Sequence, residues 1–127
     1  MSSEAKAALQ EIRDAVEIEL TIFLSKQASF LESISSDLAP VSQALSSFLL
    51  DSGKRLRPLF AYSGYISGGG VISTPVIKAI ASLELLQACA LIHDDLIDGS
   101  DTRRGKPSIH RHFESIHVQE LISLHHR

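Results

Sequence analysis

The stretch HDDLIDGSDTRRGKPS, residues 93 to 108, sets four aspartates against three basic residues directly after the apolar run LELLQACALI. That run reads as a buried helix, so Asp94, Asp95 and Asp98 fall at its C-terminal end. A helix is partially negative there, and each carboxylate in the last turn costs roughly 0.3 to 1 kcal/mol. Asp94 and Asp98, four residues apart, project from one face and add like-charge repulsion. Something positive must offset this. Hard oxygen ligands on one face suit Mg²⁺, which takes one or two carboxylates, keeps waters and completes its shell with phosphate oxygens. Arg103 and Arg104 lie just beyond the turn, where guanidinium forks can bind phosphate bidentately. The alternative is a solvated helix end whose acids pair with Arg103, Arg104 and Lys106. Adjacent arginines behind an apolar helix favour the diphosphate site.

A second basic group, Lys54, Arg55 and Arg57 in GKRLRP, sits after Gly53 at a loop-to-helix junction. Free backbone N–H groups and the helix dipole favour an anion there. Taken alone, such a group also reads as a solubilising surface patch. The histidines, His93, His110, His112, His117, His125 and His126, fit no closed tetrahedral zinc pattern, and His93 reads as a residue that either supports a neighbouring ligand group or packs. SGGG lacks the lysine and spacing of a P-loop, and nucleophilic triads and Rossmann glycines are absent.

The elements that must position these groups read as helices. Residues 3 to about 35 carry Ala8, Ile12, Val16, Leu20, Phe23 and Leu24 at helical spacing, which predicts one long amphipathic helix with an interruption near Gln27. A shorter helix follows Pro40, with Leu45, Phe48 and Leu49 on one face and Gly53 as its stop. A third lies between Pro58 and the triple glycine at 68 to 70. The clearest begins with Thr74 as N-cap and Pro75 at the first helical position and runs without Gly or Pro to Gly99. Apolar residues surround much of it, which argues for burial in an all-α bundle. No period-2 run flanked by hairpin turns is visible.

With 127 residues and 44% apolar content, the chain fits one ordinary domain. A net charge of -3 leaves no global basic field for nucleic acid. The single cysteine, Cys89, excludes an internal disulfide and reads as a buried small hydrophobe in a reducing compartment, by default the cytoplasm. No stretch is expected to reach the ~20 apolar residues of a membrane span, and the N-terminus lacks a signal-peptide core.

Together, GKRLRP at 53 to 58 and LLQACALIHDDLIDGSDTRRGKPS at 85 to 108 resemble the first half of a trans-isoprenyl diphosphate synthase of the polyprenyl synthetase family, over roughly residues 10 to 110. The resemblance implies the N-terminal portion of the all-α isoprenoid-synthase bundle and Mg²⁺-dependent head-to-tail condensation of an allylic diphosphate with isopentenyl diphosphate. By position it implies that Asp94 and Asp98 bind the metal with Asp95 in support, and that Arg103 holds the allylic diphosphate. Lys54, Arg57, Gln87 and Arg104 match the groups that bind isopentenyl diphosphate. Cys89 and Ala90, one turn before Asp94, match positions where bulky aromatics end elongation early; two small residues imply a geranylgeranyl or longer product, with Leu86 and Leu83 as a lower floor. Simple close helix packing explains the same small pair equally well. Family members usually form homodimers.

Full-length members are more than twice as long and carry a second aspartate-rich motif, which this chain lacks. Residues 111 to 127 read as a divergent tail, as a truncated or frameshifted frame would give. The chain is therefore expected to turn over little by itself and to leave the apolar faces of Leu83, Leu86 and Ile97 without partners. The competing reading is an inactive fragment or a diphosphate-binding partner subunit. A terpene cyclase shares the first acid motif, but has no second diphosphate for Lys54, Arg57 and Arg104 to hold.

Overall fold

The computed structural model describes residues 2–51 and 53–125, so His126 falls outside it. Its described elements are five helices and one two-stranded hairpin, and the all-α expectation holds. Two compact units divide the chain, Met1–Leu86 and Gln87–Arg127.

Helix α1, Ser3–Ile34, is unbroken, without the interruption expected at Gln27, because no Gly or Pro falls within it. Ser2 caps it by accepting the Ala5 N–H. After it a short 3-10 turn, Ser36–Leu38, leads into α2, Ala39–Leu50, where Pro40 lies in the first turn and no N–H is missed. This helix ends at Leu50, short of the glycine read as its stop. Helix α3 is Leu56–Ser67. It ends in a Schellman motif: Gly70 N–H donates to Tyr65 C=O, Gly69 N–H to Ile66 C=O, and Gly69 takes φ +85. A Cβ on Gly70 would run into the Tyr65 ring. Helix α4 is Thr74–Ile97, and its first bond runs from Ile77 N–H to Ser73 C=O, so Ser73 takes the cap position read for Thr74.

The core of the first unit is a row along α1, Ile12, Val16 and Leu20, packed with Leu59 of α3 and Ile77, Ile80 and Ala81 of α4. Each large apolar side chain removed from water stabilises by roughly 1.5 to 3 kcal/mol. Helix α4 corrects one expectation. It is long and apolar enough, by length and composition alone, to cross a bilayer, although the sequence reading found no such stretch. A mostly buried core helix passes the same test; here 22% of the apolar stretch is buried, while Ile77, Ile80 and Ala81 of the helix lie in the shared core.

Arg55 overturns its reading as a surface base. Its side chain is only 6% exposed, and its backbone takes φ +50 just before α3. Nη2 donates to Glu17 Oε2 at 2.8 Å and to Leu49 C=O at 2.7 Å, and Nη1 donates to Glu84 Oε2 at 2.8 Å. One guanidinium thus joins α1, the end of α2 and α4 at the entrance to α3. Burial draws its pKa down, but the hydrogen bonds it donates to Glu84 and Glu17 and their charges outweigh that, leaving it above its ordinary value. Removing one member of a buried pair strands the other, at about 3 to 5 kcal/mol. Glu84 is 11% exposed and Glu17 43%. We therefore expect Arg55→Ala to lower the urea unfolding free energy by about 3 kcal/mol or more, and Glu17→Ala by about 1 kcal/mol or less. Equal losses, measured by circular dichroism, would remove Arg55 from the centre of this unit.

Candidate diphosphate and metal site

The acid motif occupies the C-terminal turns of α4, which ends in a second Schellman motif. Ser100 N–H donates to Asp95 C=O at 2.9 Å and Gly99 N–H to Leu96 C=O, with Gly99 at φ +63. The three acids then separate by direction. Asp94 and Asp98 point to solvent, and among the described residues neither carboxylate has a hydrogen-bond partner. Asp95 is turned inward and is 3% exposed. Arg103 grips it with both prongs, Nε to Oδ2 at 2.6 Å and Nη2 to Oδ1 at 2.8 Å. This bidentate pair is the strongest form of charge-assisted hydrogen bonding. It holds Asp95 below its ordinary 3.8, against the opposing effect of burial, and lifts Arg103 above its own ordinary value.

Arg103 belongs to a hairpin that the sequence reading missed. Strand β1, Thr102–Arg103, pairs antiparallel with β2, Lys106–Pro107, so that Thr102 faces Pro107 and Arg103 faces Lys106. Arg104 and Gly105 form the two-residue turn, at φ +53 and +75, as a type I′ turn requires. The signal was weak because Arg is a rare choice at a positive φ and the strands are too short to alternate. Beyond the hairpin, Ser108 C=O accepts His112 N–H and starts α5, Ile109–His125. Ser108 was also missed, although a serine before a helical run is a legible cap signal.

The other expected site residues are placed as follows. Lys54 and Arg57 are exposed around the start of α3, where no side chain caps the helix among the described residues. Gln87 is half-buried on α4. Cys89 corrects its reading as a buried hydrophobe: it is exposed, with Sγ 3.7 Å from His93 Nδ1. Ala90 and Leu86 are exposed on the same helix, Leu86 at 67%. Two open carboxylates one turn apart fit Mg²⁺, which asks for one or two. No cluster of three or more His, Cys, Asp or Glu side chains that could hold a metal occurs among the described residues. Arg103 retains donors beyond the two that Asp95 takes.

The model of the polyprenyl synthetase family matches residues 39–119 of this chain. The chain belongs to that family. It is 37% identical over 101 residues to a farnesyl diphosphate synthase of Haemophilus influenzae, covering 78% of this chain and 33% of that one. It is 35% identical over 92 residues to heptaprenyl diphosphate synthase component 2 of Geobacillus stearothermophilus, covering 68% and 28%. Among solved structures, it resembles geranylgeranyl pyrophosphate synthase from Corynebacterium glutamicum, complexed with isoprenyl diphosphate and magnesium. The TM-score is 0.78 at 42% identity, over 88% of this chain and 33% of that chain. The helices are therefore those of an all-α isoprenoid-synthase fold. This polyprenyl synthetase chain spans about a third or less of the length of these relatives.

Asp95 gives the chain an acid dependence. Its pKa is lower folded than unfolded, so its stabilisation is complete above about 3.8 and is lost as pH falls through the folded value. Asp95→Asn should lower the melting temperature at neutral pH, and its deficit against the wild type should close only on the acid side of 3.8. Thermal melts across that range check this. A deficit that stayed constant with pH would mean that the charge on Asp95 contributes nothing.

Proposed function

We propose that this chain forms part of a prenyltransferase that condenses an allylic diphosphate head-to-tail with isopentenyl diphosphate. The observation that carries this reading is the division of labour among the acids: Asp95 is spent on Arg103, while Asp94 and Asp98 stay open on one helix face. Asp94 and Asp98 would hold Mg²⁺, with the rest of its shell left to phosphate oxygens, water and acids outside these residues. Bound there, the metal supplies Lewis-acid and electrostatic stabilisation of the departing diphosphate.

The remaining donors of Arg103 would take the allylic diphosphate. Lys54, Arg57, Gln87 and Arg104 would bind isopentenyl diphosphate, by their match to the family motifs. Cys89 and Ala90 leave the α4 surface one turn before Asp94 free of bulk, with Leu86 a further turn back, which suits a geranylgeranyl or longer product. An exposed single thiol suits a reducing compartment, and we assign the chain to the cytoplasm.

A second reading, a diphosphate-binding subunit that works beside another chain, draws on Leu86, Leu96 and Ile97. These apolar residues of α4 are 67%, 59% and 79% exposed, which calls for cover by further helices of the bundle or by another copy or subunit. Relatives include a heptaprenyl synthase named as a component.

Calorimetric titration of the chain with an unreactive allylic thiolodiphosphate, with and without Mg²⁺, separates the roles of the acids. Loss of one charged ligand costs about 1.5 to 3 kcal/mol, or roughly 10- to 100-fold in affinity. Asp94→Asn and Asp98→Asn should each weaken Mg²⁺-dependent binding by that factor. Binding indifferent to Mg²⁺ and to both substitutions would overturn the proposal.

A further inference from the structure

Two strands of two residues each do not hold a hairpin in water without help. The hairpin bearing Arg103 and Arg104 must also keep Arg104 at φ +53, a conformation that costs most residues energy. One restraint is the grip of Arg103 on Asp95. The other is Ser108, which is 1% exposed at the neck of the loop. Its Oγ donates to Ser100 C=O at 2.6 Å, with Asp101 C=O farther away at 3.4 Å. Its N–H donates to Asp101 C=O at 3.0 Å, and Oγ also lies 3.2 Å from His110 Nδ1, from whose N–H it accepts a hydrogen bond when that nitrogen is protonated. A solvent-exposed pair, Arg111 to Asp101 at 2.8 Å, crosses the same neck and is worth little. The residues joined by Ser108 are the two that lead out of the Schellman turn of α4 and into β1. Closing the neck there fixes where the hairpin leaves the acid-bearing helix end.

We propose that Ser108 is a positioning residue for diphosphate binding: its buried hydroxyl closes the loop that presents Arg103 and Arg104 beside Asp94 and Asp98. This rests on the diphosphate reading above. The role differs from general stability because the bonds of the Ser108 hydroxyl to Ser100 and Asp101 lie within the loop itself. Alanine removes the proton donated to Ser100 and leaves that carbonyl and a small void, whereas threonine retains the hydroxyl.

The test uses the full chain with three readouts: affinity for Mg²⁺ with the allylic thiolodiphosphate, thermal melting, and hydrogen exchange of the hairpin amides in the free chain. Ser108→Ala should weaken binding by about tenfold, as loss of a supporting partner to a ligand group does. It should also speed exchange at the hairpin amides while leaving the protection of α1 unchanged, and Ser108→Thr should restore both. Wild-type affinity in Ser108→Ala overturns the inference, as does a loss that threonine fails to rescue. Faster exchange throughout the chain, α1 included, overturns it too, since Ser108 would then be a general stabiliser. Should the wild-type chain itself fail to bind, the diphosphate reading falls and takes the inference with it. Equal binding by wild type and Ser108→Ala defeats the inference alone.

Discussion

A charge taken out of water must recover, from fixed partners, the interactions that water gave it, and this requirement organises both compact units of the chain. In the first unit the buried charge is Arg55, which meets it with two carboxylates and a backbone carbonyl. Those partners lie on three separate helical segments, so satisfying the guanidinium also sets where α1, α2 and α4 come together. In the second unit the buried charge is Asp95, and Arg103 supplies both hydrogen bonds at once. Apolar packing around Val16 and Leu20 provides most of the driving force in the first unit, but it is non-directional. The ion pairs add the direction.

The same requirement divides the acid motif into parts. Three carboxylates at a helix C-terminus are unfavourable in one place, and the fold removes one of them from the problem by giving it a dedicated cation. What is left at the surface is a pair with one-turn spacing, which is as much as a magnesium ion takes from protein when phosphate fills the rest of its shell. The buried pair also ties the basic hairpin to the helix end that carries the open acids. The groups proposed above to hold metal and phosphate are thereby tied together through Asp95 and Arg103.

Apolar exposure along the second half of α4 fits a chain that spans about a third or less of its relatives. Leu86, Leu96 and Ile97 lie on the helix that carries the motif, and their exposure is the cost of an uncovered face. In a helical bundle such a face is buried by further helices.

Much of this was legible in the order of residue types alone. Helix existence followed from apolar spacing and from Gly and Pro punctuation: α1, α3 and α4 stand where those signals put them, and Gly99 closes α4 as its position after the apolar run implied. The DDxxD spacing made Asp94 and Asp98 neighbours on one face because a helix has a fixed pitch. Membership of the polyprenyl synthetase family was readable from two motifs in order. These are properties of local geometry, and local geometry is written along the chain. Which charges face inward was decided by tertiary structure. Arg55 is indistinguishable from Lys54 and Arg57 in the string, and only the arrival of Glu17 and Glu84, 38 and 29 residues away, makes its burial possible. Asp95 equally resembles Asp94 until a hairpin with an arginine at a positive φ brings Arg103 back to it. Cys89, set in an apolar run, is exposed because the run surrounds the helix while the described core covers only part of it. Burial depends on what packs against a face, and that is set by contacts distant in sequence, beyond the reach of any local pattern.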